Sequence, residues 1–174
     1  MDKNGLVEQW FLRYGDDIYK FLIYYTGNRD VDDLVQDVFL KALRSMESFE
    51  GRSQPKTWLL TIARNTAIDH RRKQRLRNWL PDKWLAHVEA DEKTPEEILY
   101  LHEEQQALYH AIREVKTAYR EVLILRGLKG LSPKETAEIL HWSENKVNVT
   151  FHRAMKAVRE ILEREKKEMI GDAI

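Results

Sequence analysis

The sequence predicts an all-α protein of two small helical domains. Apolar residues recur at helical spacing through most of the 174 residues, whereas alternating β-branched segments bounded by turn residues are scarce. A chain of this length has room for one ordinary domain or two small ones. Two prolines and a run of acidic residues interrupt the helical spacing between residues 78 and 97, which favours a linker there.

Eight helices are predicted from the apolar spacing and from capping signals. They lie at residues 3–14, 16–26, 30–46, 55–76, 95–116, 118–127, 132–140 and 143–166. Thr94, Pro95 and Glu97 start the fifth helix as N-cap, first-turn proline and capping-box acid. The predicted domain bounds are therefore 1–77 and 95–174, with a linker at 78–94.

The composition excludes several classes of protein. The chain contains no cysteine, so it has neither disulfides nor a thiolate metal site, as expected in a reducing cytosol. The N-terminal segment has acidic residues among its apolar ones and lacks the uninterrupted apolar run of a signal peptide or membrane span. We therefore expect a soluble cytoplasmic protein without membrane insertion, metal or cofactor.

The net charge is zero because segments of opposite sign cancel. Residues 1–50 hold 6 basic and 10 acidic side chains, and residues 51–84 hold 9 and 2. Residues 85–104 then hold 1 and 7, and residues 105–174 hold 13 and 10. Local charge rather than total charge governs attraction to nucleic acid, so the basic segment at 51–84 is a candidate contact.

The third predicted helix has two leucines among acidic residues on the side opposite its core face. Its expected core residues are Val31, Leu34, Val35, Val38, Ala42 and Met46. Leu40 and Leu43 lie on the opposite side, among Asp32, Asp33, Gln36, Asp37 and Arg44. Such a surface suits a partner helix with basic residues, although isolated exposed leucines are also common.

The fourth predicted helix has a core face and a mixed face. The core face comprises Leu59, Leu60, Ala63 and Ala67, and the mixed face comprises Trp58, Thr61, Asn65, Asp69 and Arg72. Aromatic planes stack on unpaired bases, and a basic groove follows a single strand. The sequence is equally compatible with an alternative in which Trp58 is a core residue and the basic helix end only offsets the helix dipole.

Residues 132–161 predict a helix-turn-helix. Ser132, Pro133 and Glu135 start one helix, and Ser143 starts the next after a short turn. The core stripe of the second helix is Val147, Phe151, Ala154, Val158 and Ile161. The cap and the opposite arc hold groups that contact bases and phosphates, namely Ser143, Asn145, Lys146, Asn148, Val149, His152, Arg153 and Lys156. A solvated polar face is the simpler alternative.

These three segments resemble the extracytoplasmic function (ECF) sigma factors, small two-domain relatives of sigma-70. DVDDLVQDVFLKAL is similar to sigma region 2.2, and FEGRSQPKTWLLTIARNTAIDHRRK to regions 2.3 and 2.4. The segment from Tyr119 to Glu160 is similar to region 4. The resemblance implies a non-enzymatic factor that binds core RNA polymerase, recognises minus-thirty-five and minus-ten promoter elements and promotes promoter opening, often in a stress response.

The resemblance also implies roles for individual residues. The beta-prime clamp of the polymerase would contact Asp33, Gln36, Asp37 and Leu40. The opened minus-ten strand would contact Arg52, Lys56, Trp58, Arg64, Asn65 and Arg72. The arc of the second helix would read the minus-thirty-five element, with weaker phosphate contact or a different preference because Asn148 and Thr150 replace basic residues of the family. Further expected partners are the beta flap and a membrane-bound anti-sigma factor, and the free chain is expected to be monomeric.

Two other functions remain open at this point. A DNA-binding regulator that never touches polymerase would explain residues 118–160 but leaves the first domain unexplained, and as a dimer it would bind an inverted repeat. An enzyme is disfavoured because the six histidines form no HExxH motif or other ligand spacing, and no glycine-rich phosphate loop or nucleophile elbow is present.

Overall fold

The computed structural model describes residues 3–28, 30–78 and 103–171, and within these ranges it contains helices and no strands. The all-α prediction is therefore confirmed. The chain divides into two compact units, at residues 1–94 and 95–174. Residues 79–102 lie outside the described ranges, and with them nearly all of the predicted linker and the start signal at Thr94, Pro95 and Glu97.

Within the described residues, the first unit contains three α-helices and the second contains four. In the first, α1 spans Lys3–Thr26, α2 spans Asp32–Ser45 before a 3-10 turn at Met46–Ser48, and α3 spans Pro55–Asn78. In the second, α4 spans Glu103–Glu114, α5 spans Thr117–Val122 before a π-helix at Leu123–Leu128, α6 spans Pro133–Leu140 and α7 spans Glu144–Gly171. No described helix combines the length and the apolar character that a membrane span requires.

The helices α1, α2 and α3 pack against one another around a single core. Ile18 and Leu22 of α1 and Leu59 and Leu60 of α3 have no solvent exposure. All of the core residues predicted for the third and fourth helices are buried, because each helix has an apolar stripe wide enough to meet two neighbours. Phe39 is an additional buried residue of α2 that the predicted stripe omitted.

The prediction of separate helices at 3–14 and 16–26 is wrong, since α1 continues through Gly15. An interior glycine destabilises a helix by about 1 kcal/mol relative to alanine. Burial of Val7 and Trp10 before the glycine and of Ile18 and Phe21 after it outweighs that effect. Most other helix ends agree with prediction within two residues, but α7 runs on to Gly171 rather than ending at residue 166.

One core cluster of the second unit lies between α4, the π-helix that follows α5, and α7. Ala111, Ile112 and Val115 pack there with Leu123, and Ala154 and Val158 of α7 complete the cluster. The Arg164 guanidinium of α7 donates a hydrogen bond to the Glu114 carboxylate of α4 at 2.7 Å, and this bond raises the pKa of Arg164 above its usual value.

Arg120 closes the C-terminal end of α4. Its Nε donates to the carbonyl of Ile112 at 3.2 Å, and its Nη2 donates to the carbonyls of Val115, at 3.3 Å, and of Arg113. The last carbonyls of a helix have no partners within the helix. The Arg120 side chain supplies these donors from α5, and it therefore fixes α5 against the end of α4.

The predicted helix at 118–127 is α-helical only as far as Val122 and continues as a π-helix. Within this segment Leu123, Ile124 and Leu125 are all buried, although they are consecutive. The Lys129 N–H donates to the Ile124 carbonyl at 2.9 Å, a bond that spans five residues. Gly130 then reverses the chain with a φ of 65°, a conformation that glycine adopts without strain.

Candidate functional site

The first helix of the helix-turn-helix, α6, begins with the predicted capping box. The Ser132 hydroxyl accepts a hydrogen bond from the Glu135 N–H at 3.2 Å. In return, the Glu135 carboxylate accepts from the Ser132 N–H at 2.8 Å and from the Ser132 hydroxyl at 2.7 Å. Pro133 follows as the first helical residue. These bonds satisfy amide groups that a helix start leaves open and fix where α6 begins.

The turn between α6 and α7 is closed by the backbone. His141 adopts the left-handed conformation with a φ of 54°, and the Trp142 N–H donates to the Ala137 carbonyl at 3.0 Å, as at many helix C-termini. Ser143 then caps α7 by accepting from the Lys146 N–H at 3.2 Å. The small Ala137 side chain is buried. Hydrogen bonds therefore define both ends of the turn.

One face of α7 is exposed and polar, and the structure brings all the predicted minus-thirty-five residues onto it. We call this the α7 surface, and its exposed members are Ser143, Asn145, Lys146, Asn148, Val149, His152, Arg153 and Lys156. The predicted core stripe lies on the other side, where Val147, Ala154 and Val158 are buried and Phe151 and Ile161 are half-buried. Val149 is 41% exposed, so its methyl groups are accessible to a ligand.

The three cations of the α7 surface differ in their surroundings. The Lys146 ammonium lies 4.1 Å from the centre of the Trp142 ring, and the Lys156 ammonium lies 3.8 Å from the Glu160 carboxylate. Among the described residues, Arg153 has no carboxylate partner. Arg153 is therefore the cation of this surface whose charge is least offset by the protein itself.

The predicted minus-ten residues occupy α3 and the loop before it, residues 49–54. We call this segment the α3 loop. Asn65 and Arg72 are exposed on α3, and Arg64 is half-buried. Arg52 is exposed in the α3 loop, where its guanidinium pairs with the Glu50 carboxylate. Gly51 gives the loop its sharpest bend with a φ of 69°, which a residue with a β-carbon rarely adopts.

Trp58 is half-buried in an aromatic cluster, a contact that the sequence analysis missed. Its ring centre lies 4.9 Å from that of Phe49 and 5.9 Å from that of Trp10. The Trp10 and Phe49 rings are themselves 5.1 Å apart. Trp58 is therefore neither a free stacking plane nor a fully buried core residue. No local signal predicts this cluster, because Trp10 is on α1, far from α3 in sequence.

Lys56 also has a partner on α1. Its ammonium lies 2.8 Å from the Asp17 carboxylate, and the two side chains are only 28% and 32% exposed. The charge of Lys56 is thus offset within the protein before any ligand arrives, as the charge of Arg52 is by Glu50.

The predicted polymerase-contact residues lie together on the exposed side of α2. Asp33, Gln36 and Asp37 are exposed, and Leu40 is 44% exposed. We call these four residues the α2 surface. From α1, the Phe11 ring packs 5.0 Å from the buried Phe39 ring of α2 and remains half exposed, a contact that no local sequence pattern predicts.

The Lys41 side chain of α2 bonds to α3. Its ammonium donates to the Thr66 hydroxyl at 3.1 Å and lies 3.8 Å from the Asp69 carboxylate. Asp69 belongs to the predicted mixed face of α3, so part of its negative charge is offset by α2.

Comparison with protein families gives two matches, which account for most of the described helices. Residues 10–77 match sigma-70 region 2, and residues 105–158 match sigma-70 region 4.

Individual relatives match over nearly the whole chain. The ECF RNA polymerase sigma factor SigX of Bacillus subtilis is 39% identical over 166 residues, which cover 92% of this chain and 86% of that protein. The RNA polymerase sigma factor YlaC of B. subtilis is 34% identical over 97% of this chain and 98% of its own length. The ECF RNA polymerase sigma-E factor of Escherichia coli is 31% identical over 84% of this chain and 81% of its own length.

Two solved structures share the fold. The sigma factor RpoE of Bartonella quintana, in complex with the anti-sigma factor NepR, superimposes with a TM-score of 0.73 at 27% identity, over 90% of this chain and 96% of that one. CnrH, in complex with the cytosolic domain of CnrY, superimposes with a TM-score of 0.66 at 23% identity, over 91% of this chain and 88% of that one.

Proposed function

Because the chain belongs to the ECF group of the sigma-70 family of RNA polymerase sigma factors, we propose that it binds core polymerase, recognises minus-thirty-five and minus-ten promoter elements and promotes opening of the DNA. Members of this family are initiation factors and not enzymes. Three exposed surfaces support the proposal, one each for core polymerase, the minus-ten element and the minus-thirty-five element. We propose that these functions are divided between two domains, residues 1–77 and 95–174, which the linker at 78–94 joins.

The α7 surface is proposed to read the minus-thirty-five element in the major groove. A recognition helix contacts base edges with the residues of its first turns. The α7 surface begins at the cap, Ser143, and ends at Lys156, which is a length of about 20 Å along the helix. Asn145 and Asn148 offer donors and acceptors to base edges, and Val149 offers apolar contact to a thymine methyl group.

The exposed residues of α3 and the α3 loop are proposed to bind the minus-ten element as an opened non-template strand. Asn65 and Arg72 are both exposed on the mixed face, about two helical turns apart, where they would reach bases and backbone. Trp58 presents only the part of its ring that Trp10 and Phe49 leave uncovered. A base that leaves the stack must enter a formed pocket, and the α3 loop is the proposed place for it.

The α2 surface is proposed to bind the beta-prime clamp of core polymerase. It combines one exposed leucine with two carboxylates and an amide, a composition that suits an apolar contact within a polar and charged rim. Since α2 packs against α3, the polymerase and the minus-ten strand would contact neighbouring elements of one rigid unit. The beta flap is the proposed polymerase partner of the second domain.

An anti-sigma factor is the proposed regulatory partner. The solved structure of RpoE that resembles this chain is a complex with an anti-sigma factor. We extend that partnership to this chain, with a membrane-bound anti-sigma factor that releases a monomeric, cytoplasmic sigma factor in response to stress.

Co-elution with core polymerase tests the proposal at its first step. The purified chain is expected to elute with bacterial core RNA polymerase at a near-stoichiometric ratio, and Asp37→Arg and Leu40→Arg are expected to abolish co-elution because they place a cation on the α2 surface. The matched control is Asp16→Arg, which makes the same charge change as Asp37→Arg at an exposed position of α1 that is paired with Lys20. Failure of the unaltered chain to co-elute, with duplex DNA still bound, would support a regulator that works without polymerase.

A further inference from the structure

We propose that Trp10 and Asp17 of α1 are positioning residues that hold the α3 loop in the conformation that receives the opened minus-ten strand. The inference rests on the proposed function of the α3 loop, and it assigns to α1 a role that neither the motifs of α3 nor the family matches identify. Two separate attachments, one aromatic and one ionic, support it.

The aromatic attachment joins both ends of the α3 loop to α1. Phe49 is the first residue of the loop and Trp58 lies in the first turn of α3. The Trp10 ring packs edge-on against both, at 5.1 Å from Phe49 and 5.9 Å from Trp58. Edge-to-face packing is a favoured arrangement of aromatic rings. Trp10 therefore contacts Phe49 at the start of the α3 loop and Trp58 just after its end, and it holds both ends of the loop against α1.

The ionic attachment lies farther along α1. Asp17 follows Trp10 by about two helical turns, or about 10 Å, and its carboxylate lies 2.8 Å from the Lys56 ammonium. Lys56 is the second residue of α3. Because both side chains are about one third exposed, salt screens this pair less than it screens a fully exposed one. The start of α3 is thus held at two places along α1.

Neither α1 residue is suited to contact DNA itself. Trp10 is 7% exposed, so its ring faces cannot stack on a base. Asp17 is an anion and would repel phosphate groups. Their influence on the strand must therefore pass through Phe49, Trp58 and Lys56. A loop that is already ordered loses less conformational entropy when it binds, so these contacts favour binding without touching the ligand.

The decisive experiment compares two neutral variants of adjacent acids. Asp17→Asn releases Lys56, whereas Asp16→Asn makes the same charge change but breaks only the exposed Asp16–Lys20 pair. The unaltered holoenzyme first selects a minus-ten sequence from a random promoter library. Holoenzyme is then assembled with the full chain of each variant. Fluorescence anisotropy measures its binding to a fluorescein-labelled single strand that carries the selected sequence. A scrambled strand is the control ligand.

Asp17→Asn is expected to weaken binding of the selected strand by about 1.5- to 5-fold, the factor that corresponds to one partly exposed ion pair. Asp16→Asn is expected to leave it unchanged. Trp10→Leu is expected to weaken it by about 2- to 12-fold, the factor for one aromatic pair, and Trp10→Phe to restore part of the loss. Stronger binding by Asp17→Asn would overturn the inference, since Asp17 would then compete with DNA for Lys56.

A spectroscopic readout separates loop position from DNA contact. The chain has no cysteine, so Gln54→Cys provides a unique site for a nitroxide label at an exposed position of the α3 loop. In the free chain, Asp17→Asn and Trp10→Leu are expected to increase nitroxide mobility, and Asp16→Asn is not. Unchanged mobility in the Asp17→Asn protein would overturn the inference even if Trp10→Leu impaired folding. Failure of the unaltered holoenzyme to select any strand would instead refute the proposed function, and the mobility comparison would still test the attachment.

Discussion

Arg153→Ala is expected to weaken binding of duplex minus-thirty-five DNA and to flatten its salt dependence. Arg153 is exposed on the α7 surface, and no described carboxylate offsets its charge. Each phosphate that a cation neutralises contributes about −0.9 to the slope of log K against log salt concentration. If Arg153 neutralises one phosphate, a rise from about 50 to about 200 mM salt weakens the variant about 3.5-fold less than the unaltered protein.

The assay measures holoenzyme binding to a duplex with the minus-thirty-five element over a series of salt concentrations. The matched control is Arg164→Ala, which removes the same charge from the same helix about 16 Å farther along, where the guanidinium is already paired with Glu114. Its slope is expected to equal that of the unaltered protein. An unchanged slope for Arg153→Ala, with loss of affinity confined to some sequences, would refute the phosphate contact and indicate a base contact instead.

Three further substitutions test the proposed minus-ten contact of α3 and the stability of two helices. Asn65→Ala should reduce permanganate reactivity of minus-ten thymines while the protein still co-elutes with polymerase; loss of co-elution would show that α3 also serves the polymerase contact. Gly15→Ala should stabilise the first unit by about 1 kcal/mol and raise its melting temperature by about 4–8 °C, because a β-carbon there would lie 3.9 Å from the Phe11 ring; a lower melting temperature would contradict this. Ser132→Ala should destabilise the second unit by about 1 kcal/mol through loss of the capping box, measured as a lower urea midpoint, and an unchanged midpoint would mean that Glu135 alone maintains the start of α6.

The α7 surface was predictable because its pattern is local. The core stripe and the exposed arc alternate within one helix, so the spacing of Val147, Ala154 and Val158 alone locates both sides. The caps at Ser132 and Ser143 were predictable for the same reason, since a capping box is completed within four residues. The core of α2 follows from similar spacing.

The errors in the fold come from packing that overrides local preference. Gly15 suggested a helix boundary, but α1 continues because buried side chains lie on both sides of the glycine. The π-helix was also missed, because a period of 3.6 residues cannot bury Leu123, Ile124 and Leu125 together on one narrow stripe. The run of three apolar residues was the available signal, and it does not by itself distinguish a π-helix from a buried α-helix.

The surroundings of the minus-ten residues were unpredictable because they depend on tertiary contacts. A helical wheel places Trp58 on the mixed face correctly, but it gives no information about the Trp10 ring of another helix. The pairing of Lys56 with Asp17 likewise requires α1 and α3 to lie side by side. Sequence therefore identified which residues are candidates, whereas the structure identified which of them are already engaged by the protein.

Because each unit has its own core, the first unit can fold before the second has been synthesised. Helical domains dominated by local contacts fold in microseconds to milliseconds, whereas a ribosome needs about 4–16 s to add residues 95–174 at about 5–20 residues per second. The first unit is therefore folded for seconds while the second is still being made. During that interval the nascent chain presents a finished α2 surface without a completed helix-turn-helix, so translation itself separates in time the proposed polymerase contact from the proposed minus-thirty-five contact.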